Sequence, residues 1–134
     1  MRALFFVLLL AACTAPPAPA KENAPPPRPL AGTRWVLELE GVSRAAPTLE
    51  FRDAGRATGF TGCNEWFAQV DRSGGGLRFS AIGVTRRGCE PRAMQIERDF
   101  ASQLERTRAA EVEEDALVLT DEDGKLVARF QRAR

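Results

Sequence analysis

Three cysteines (Cys13, Cys63, Cys89) and 18 carboxylates are the residues through which this 134-residue chain could do chemistry, for it contains neither His nor Tyr. Without an imidazole, Ser-His-Asp and Cys-His catalysis, histidine-ligated zinc or haem, and histidine acid-base work are all excluded. A carboxylate hydrolysis remains chemically open, with Glu65 and either Glu90 or Glu97 as an acid-base pair. Against it, the 18 acidic residues are interspersed with 19 basic ones, the pattern of a solvated surface. The resulting net charge of +1 is too balanced to hold nucleic acid or an anionic membrane by a general field. Cys63 and Cys89 fall short of the ligand number a structural zinc expects, and a thiolate at either would lack its base. The expectation is therefore a protein with no catalytic residue, no metal and no cofactor.

The elements that position these residues begin with an address. Met1 and Arg2 precede the unbroken apolar run Ala3 to Leu10, followed by Ala11 and Ala12. Residues 1–12 read as a secretory signal peptide, since a helix needs about 20 apolar residues to span a bilayer. Leu10-Ala11-Ala12-Cys13 resembles the bacterial lipobox, in which the Cys thiol accepts diacylglycerol. The alternative is an ordinary signal peptide cut at a nearby small residue. Acyl chains on Cys13 would suffice for stable anchoring. Thr14 stands where Asp would signal inner-membrane retention, which favours the outer membrane, facing the periplasm. Residues 13–31 then form a Pro/Ala-rich linker holding seven of the nine prolines. As polyproline II it would reach up to about 50 Å, a stalk, or else a proline-motif ligand. In the oxidising compartment that export implies, Cys63 and Cys89 make an even pair once Cys13 is acylated. A disulfide between them would stabilise the fold by about 3.5 kcal/mol in the chain-entropy account. Two buried free thiols are the alternative.

Residues 32–134 read as the domain, mainly β (α+β): a small antiparallel barrel-like sheet with one amphipathic helix. Period-two alternation marks strands at Trp35, Leu37 and Leu39, at Leu49 and Phe51, over Arg56 to Phe60, and over Leu77 to Ser80. A hairpin joins Leu117 and Leu119 to Leu126, Ala128 and Phe130 across Asp121-Glu122-Asp123-Gly124. After Pro91, the stretch Arg92 to Arg108 lacks Gly and Pro, and Ala93, Ile96, Phe100 and Leu104 recur at helical spacing. That predicts a helix with Glu97 and Arg98 on its wetter flank and its apolar stripe across an end or open side of the sheet. If Trp66, Ala68 and Val70 face the core, Phe67 faces outward.

Gly62-Cys63-Asn64-Glu65-Trp66, Thr85-Arg86-Arg87-Gly88-Cys89, Met94-Gln95-Ile96-Glu97-Arg98-Asp99-Phe100 and the Leu117 to Phe130 hairpin together resemble the META domain of the HslJ-like heat-shock lipoprotein family. Ala68 and Val70 depart from the Gly and Tyr usual there, and Gly88 from Ala or Met. The resemblance implies a mostly β, barrel-like domain with one helix, often lipid-anchored in the bacterial envelope and linked to stress or antibiotic tolerance. It implies no reaction. The motif has purely physical readings: Gly62 for close approach or positive φ, Asn64 for turn amides, Trp66 for the core. The functional reading is that Asn64, Glu65, Phe67, Arg86, Arg87 and Glu90 form a partner-binding surface for an envelope protein or small ligand on a monomer. An inhibitor of lysozyme or a protease is the alternative within the non-catalytic class.

The anchor gives the first prediction. Cys13→Ser should release the protein from the membrane fraction and abolish metabolic labelling by a fatty acid; wild-type protein that takes up no label contradicts the lipobox reading.

Overall fold

The computed structural model describes residues 28–42 and 45–134; the expected signal peptide, Cys13 and most of the linker lie outside the described residues. The strands are β1 (Arg34–Leu37), β2 (Thr48–Phe51), β3 (Arg56–Phe60), β4 (Glu65–Asp71), β5 (Arg78–Val84), β6 (Ala109–Glu113), β7 (Ala116–Thr120) and β8 (Leu126–Arg132), with helix α1 (Pro91–Arg106) between β5 and β6. All pair antiparallel in one sheet of order β5-β4-β3-β2-β1-β8-β7-β6. The sheet curls toward a barrel whose seam lies between β5 and β6. At one end the seam is stitched by the Leu77 N–H donating to the Arg108 carbonyl at 2.8 Å. Helix α1 lies across the open side of the barrel against β5 and β8, as the apolar stripe requires.

Alternation explains which side chains fill the interior. Along β4, Trp66, Ala68 and Val70 are buried while Glu65, Phe67, Gln69 and Asp71 are exposed. A chain of rings crosses the core: Phe51 to Phe79 (6.3 Å between centroids), Phe79 to Trp66 (6.0 Å), Trp66 to Phe100 (5.6 Å) and Phe100 to Phe130 (6.3 Å). These offset and edge-on contacts add to the area term of large apolar side chains. Gly59 permits the tight β2–β3–β4 packing. A Cβ there would lie 2.0 Å from the Thr48 carbonyl oxygen, which accepts the Trp66 indole N–H at 2.9 Å.

Three expectations need correction. The domain begins before residue 32, because Leu30 is buried in the core, and Thr33 donates both its N–H and its hydroxyl to the Leu30 carbonyl. Leu126 does not share the face of Ala128 and Phe130. Leu119 pairs with Ala128 but Thr120 pairs with Leu126, so Val127 is the extra residue of a β-bulge, and Leu126 is turned outward at 63% exposure. The strand expected over Leu77 to Ser80 continues to Val84 through a second bulge, where Ala81 and Ile82 together face Ala68. That shift returns Ile82 and Val84 to the core after Phe79, a spacing that simple alternation misses.

The helix runs Pro91 to Arg106, two residues short of the expected end. Arg108 is drawn into the sheet instead, its N–H donating to the Thr120 carbonyl at 2.8 Å. Because β3 runs from the β2–β3 turn to the β3–β4 turn, these mark opposite ends of the barrel. Leu30 packs beside Phe51, Ala54 and Val70 at the β2–β3 end, and Arg132 pairs with Trp35 there, so both chain ends leave from that end.

The second bulge places Ala81 at φ 49°, a left-handed conformation that disfavours a Cβ. Ala81→Gly should stabilise the protein by about 0.5–1 kcal/mol, net of glycine's own entropy cost. The urea midpoint should rise with an unchanged slope; a fall would show that the bulge carries no strain.

Candidate functional site

At the end opposite the β2–β3 turn, the β3–β4 turn is built around Thr61, Gly62, Cys63 and Asn64, all buried. The Thr61 N–H donates to the Asn64 carbonyl, and the Thr61 hydroxyl oxygen accepts from the N–H groups of Cys63 (3.2 Å) and Asn64 (2.8 Å). Its own proton goes to the Glu97 carboxylate at 2.5 Å. Gly62 serves both expected purposes: its φ is +98°, and a Cβ would sit 3.0 Å from Ile96 of α1.

Asn64 joins three elements. Its Oδ1 accepts from the Arg87 N–H (2.7 Å) and the Thr85 hydroxyl (3.2 Å), while its Nδ2 donates to the Arg87 carbonyl (3.0 Å) and to Glu97 (3.0 Å). The amide orientation is dictated, because a backbone N–H can only donate and so must face the oxygen. At 2% exposure, each of these bonds replaces one that water would otherwise make. The Cys63–Cys89 disulfide fastens the turn to the segment leading into α1, with 5.9 Å between Cα atoms. One residue on, Glu90 accepts from the N–H groups of Arg92 (3.0 Å) and Ala93 (2.9 Å) and so caps the helix, where its charge also suits the helix dipole.

This framework leaves an open concavity of about 500 Å³ lined by Asn64, Thr85, Arg86, Arg87, Gly88 and Glu97, with Val84 at its edge. Glu97 is half-buried at its wall, not on the wetter flank of the helix as expected. Arg87 and Arg86 are exposed beside it; the Arg87 guanidinium donates to the Cys63 carbonyl at 2.8 Å. A second groove, of about 490 Å³, lies on the outer face of the sheet and shares Thr85 with the first. Its floor is a cross-strand row in which Arg34 pairs with Glu50, Glu50 with Thr58, Thr58 with Phe67 and Phe67 with Gly83. The Phe67 ring fills the space that a Gly83 Cβ would take, 2.2 Å from Cζ, yet stays 58% exposed. Arg34, at 2.6 Å, and Arg52, at 2.6 Å, both pair with Glu50 and hold its carboxyl below its ordinary value of 4.5.

The expected surface is thus divided. Asn64, Arg86 and Arg87 come together in the concavity; Glu65 and Phe67 line the outer groove. The neighbours of Phe67 there are Arg34, Glu50 and Thr58 rather than Arg86 or Arg87. The carboxylate pairs weighed for hydrolysis do not form, since Glu90 is turned to the helix amides and Glu65 to the outer face. Sequence reasoning missed Thr61 and Thr85, and it misplaced Glu97. A signal existed for Glu97: it falls four residues after Ala93, three before Phe100 and seven before Leu104, on the inward stripe of α1.

Comparison with known proteins agrees with this geometry. The model of the META domain family matches residues 28–134. An NMR structure of a protein from Burkholderia xenovorans superposes with a TM-score of 0.64 at 25% identity, covering 89% of this chain and 99% of that one. A second NMR structure shares the fold with a TM-score of 0.60 at 20% identity, over 76% of this chain and 90% of the other. A search of curated proteins found no match.

The Asn64 network predicts a distinctive pair of variants. Asn64→Ala should cost about 2–4 kcal/mol by leaving buried donors and acceptors unpaired. The near-isosteric Asn64→Asp should cost at least as much at neutral pH, because it exchanges a donor for a second negative charge facing Glu97. Denaturant melts in which Asp is tolerated as well as Asn would refute the dependence on that donor.

Proposed function

The chain belongs to the META domain family, and from that premise we propose that it is a non-catalytic recognition protein of the bacterial envelope. In this reading Cys13 carries the lipid, the proline-rich segment is the stalk, and the domain faces the periplasm from the outer membrane, supporting envelope integrity under stress or antibiotic exposure. The observation that carries it is the juxtaposition of two concavities across Thr85, one with Arg86, Arg87 and Glu97, the other with exposed Phe67. Polar groups convergent on a depression, next to a single exposed aromatic, are the ingredients of a recognition surface. The motif residues outside the concavities serve architecture: Cys63 and Cys89 as staple, Glu90 as cap. That division of labour favours binding over hydrolysis, for which two opposed carboxylates would be needed.

Phe67 supplies the test. Its ring contributes little to the core, so Phe67→Ala should leave the melting temperature within about 2–3 °C. As an aromatic anchor it should still weaken capture of an envelope partner by about tenfold or more. Capture by chemical cross-linking in intact cells, compared between the two proteins, provides the readout. Unchanged capture, or a collapse in stability, would rule out this surface.

A further inference from the structure

Six ion pairs link ten of the charged side chains among the described residues. Arg34 and Arg52 pair with Glu50, Arg56 with Asp53, Arg129 with Glu38 and Glu113, and Arg132 with Asp115. What sets the concavity at the β3–β4 turn apart is a half-buried carboxylate facing the same depression as exposed guanidiniums. It brings Arg86, Arg87 and Glu97 to one depression, yet among the described residues none of the three enters an ion pair.

The reason is geometric. Glu97 Oε2 is held by the Thr61 hydroxyl and the Asn64 amide, both neutral and both fixed by the turn. Arg87 is held by its backbone to Asn64 and by its guanidinium to the Cys63 carbonyl. Glu97 Oε1 keeps one long contact to Asn64, at 3.4 Å, and the Arg86 guanidinium makes no hydrogen bond to the described residues. A half-buried carboxylate without a cation is electrostatically incomplete, and it prefers a ligand cation to bulk water when the donors around it are already in place. Guanidiniums at the rim prefer a carboxylate, which they can bind through paired N–H groups.

From this standing separation of charge we infer that the concavity binds a small zwitterion, a free amino acid or the ends of a short peptide. The ammonium group lies against Glu97 and the carboxylate against Arg86. The inference rests on the recognition reading above and names the ligand chemistry of one of its two concavities. A simple anion would leave Glu97 unmet, and a simple cation would meet the field of two arginines.

The experiment is an NMR titration of the isotope-labelled protein with L-alanyl-L-alanine, its N-acetyl derivative, its C-terminal amide and the doubly blocked compound. The dipeptide should shift the amides of Arg87 and Gly88 saturably, and either single block should weaken the response by about tenfold. Glu97→Gln should lose the discrimination against the N-acetyl compound. Arg86→Ala, at an exposed residue without partners, should lose the discrimination against the amide even if Glu97→Gln fails to fold. Equal responses to the dipeptide and the doubly blocked compound, or none at about 10 mM, overturn the inference. If capture of the envelope partner still depends on Phe67 in that event, the zwitterion alone is refuted. If that dependence is absent too, the recognition reading falls with it.

Discussion

The fold depends on Phe100. A sheet of eight strands that does not pair its first edge with its last leaves an interior open along the seam, and apolar side chains facing that gap would meet water. Phe100 enters from α1 and lies edge-on to Trp66 of β4 and Phe130 of β8, so one helical side chain bridges the two arms of the sheet. With Leu104 a turn later, also buried, the helix can occupy one depth and one rotation only. That setting places Glu97, a turn earlier, against Thr61 and Asn64, so the polar network inherits its geometry from an aromatic contact.

The two concavities that meet at Thr85 differ in how their charges are balanced. On the outer face, Glu50 is paired with both Arg34 and Arg52 and its carboxyl titrates low as a result, so its charge is met within the protein and Phe67 is the exposed apolar feature there. In the concavity at the turn, rigid neutral donors hold Glu97 and a backbone carbonyl holds Arg87, so opposite charges stand near one another unpaired. The first surface suits an apolar contact and the second a polar one. Their adjacency sets an apolar and a charged surface side by side across Thr85.

Much of this was legible in the residues. Strict alternation in Trp66, Phe67, Ala68 and Val70 placed each of them on the face where it lies, and Pro91 with the Ala93, Phe100 and Leu104 spacing located the helix. The failures share a cause. Bulges at Ala81 and Val127 insert one residue into a period of two, so Ile82 rejoins the core and Leu126 leaves it. β6 carries Ala109, Ala110 and three glutamate or valine positions, too weak an alternation to stand out, and it is a strand because β7 pairs with it. The charge of Glu97 points to solvent, although its spacing puts it on the buried stripe. A carboxylate can sit there because partners 33 and 36 residues away in the chain supply donors, and those partners belong to the tertiary structure alone.

Leu30 and Arg132 both lie beside the β2–β3 turn, while the β3–β4 turn and the segment joining β5 to α1 lie at the other end. Any attachment made upstream of residue 28 therefore pulls on the pole remote from the concavity. A group joined there is separated from the concavity by the full length of β3 and β4.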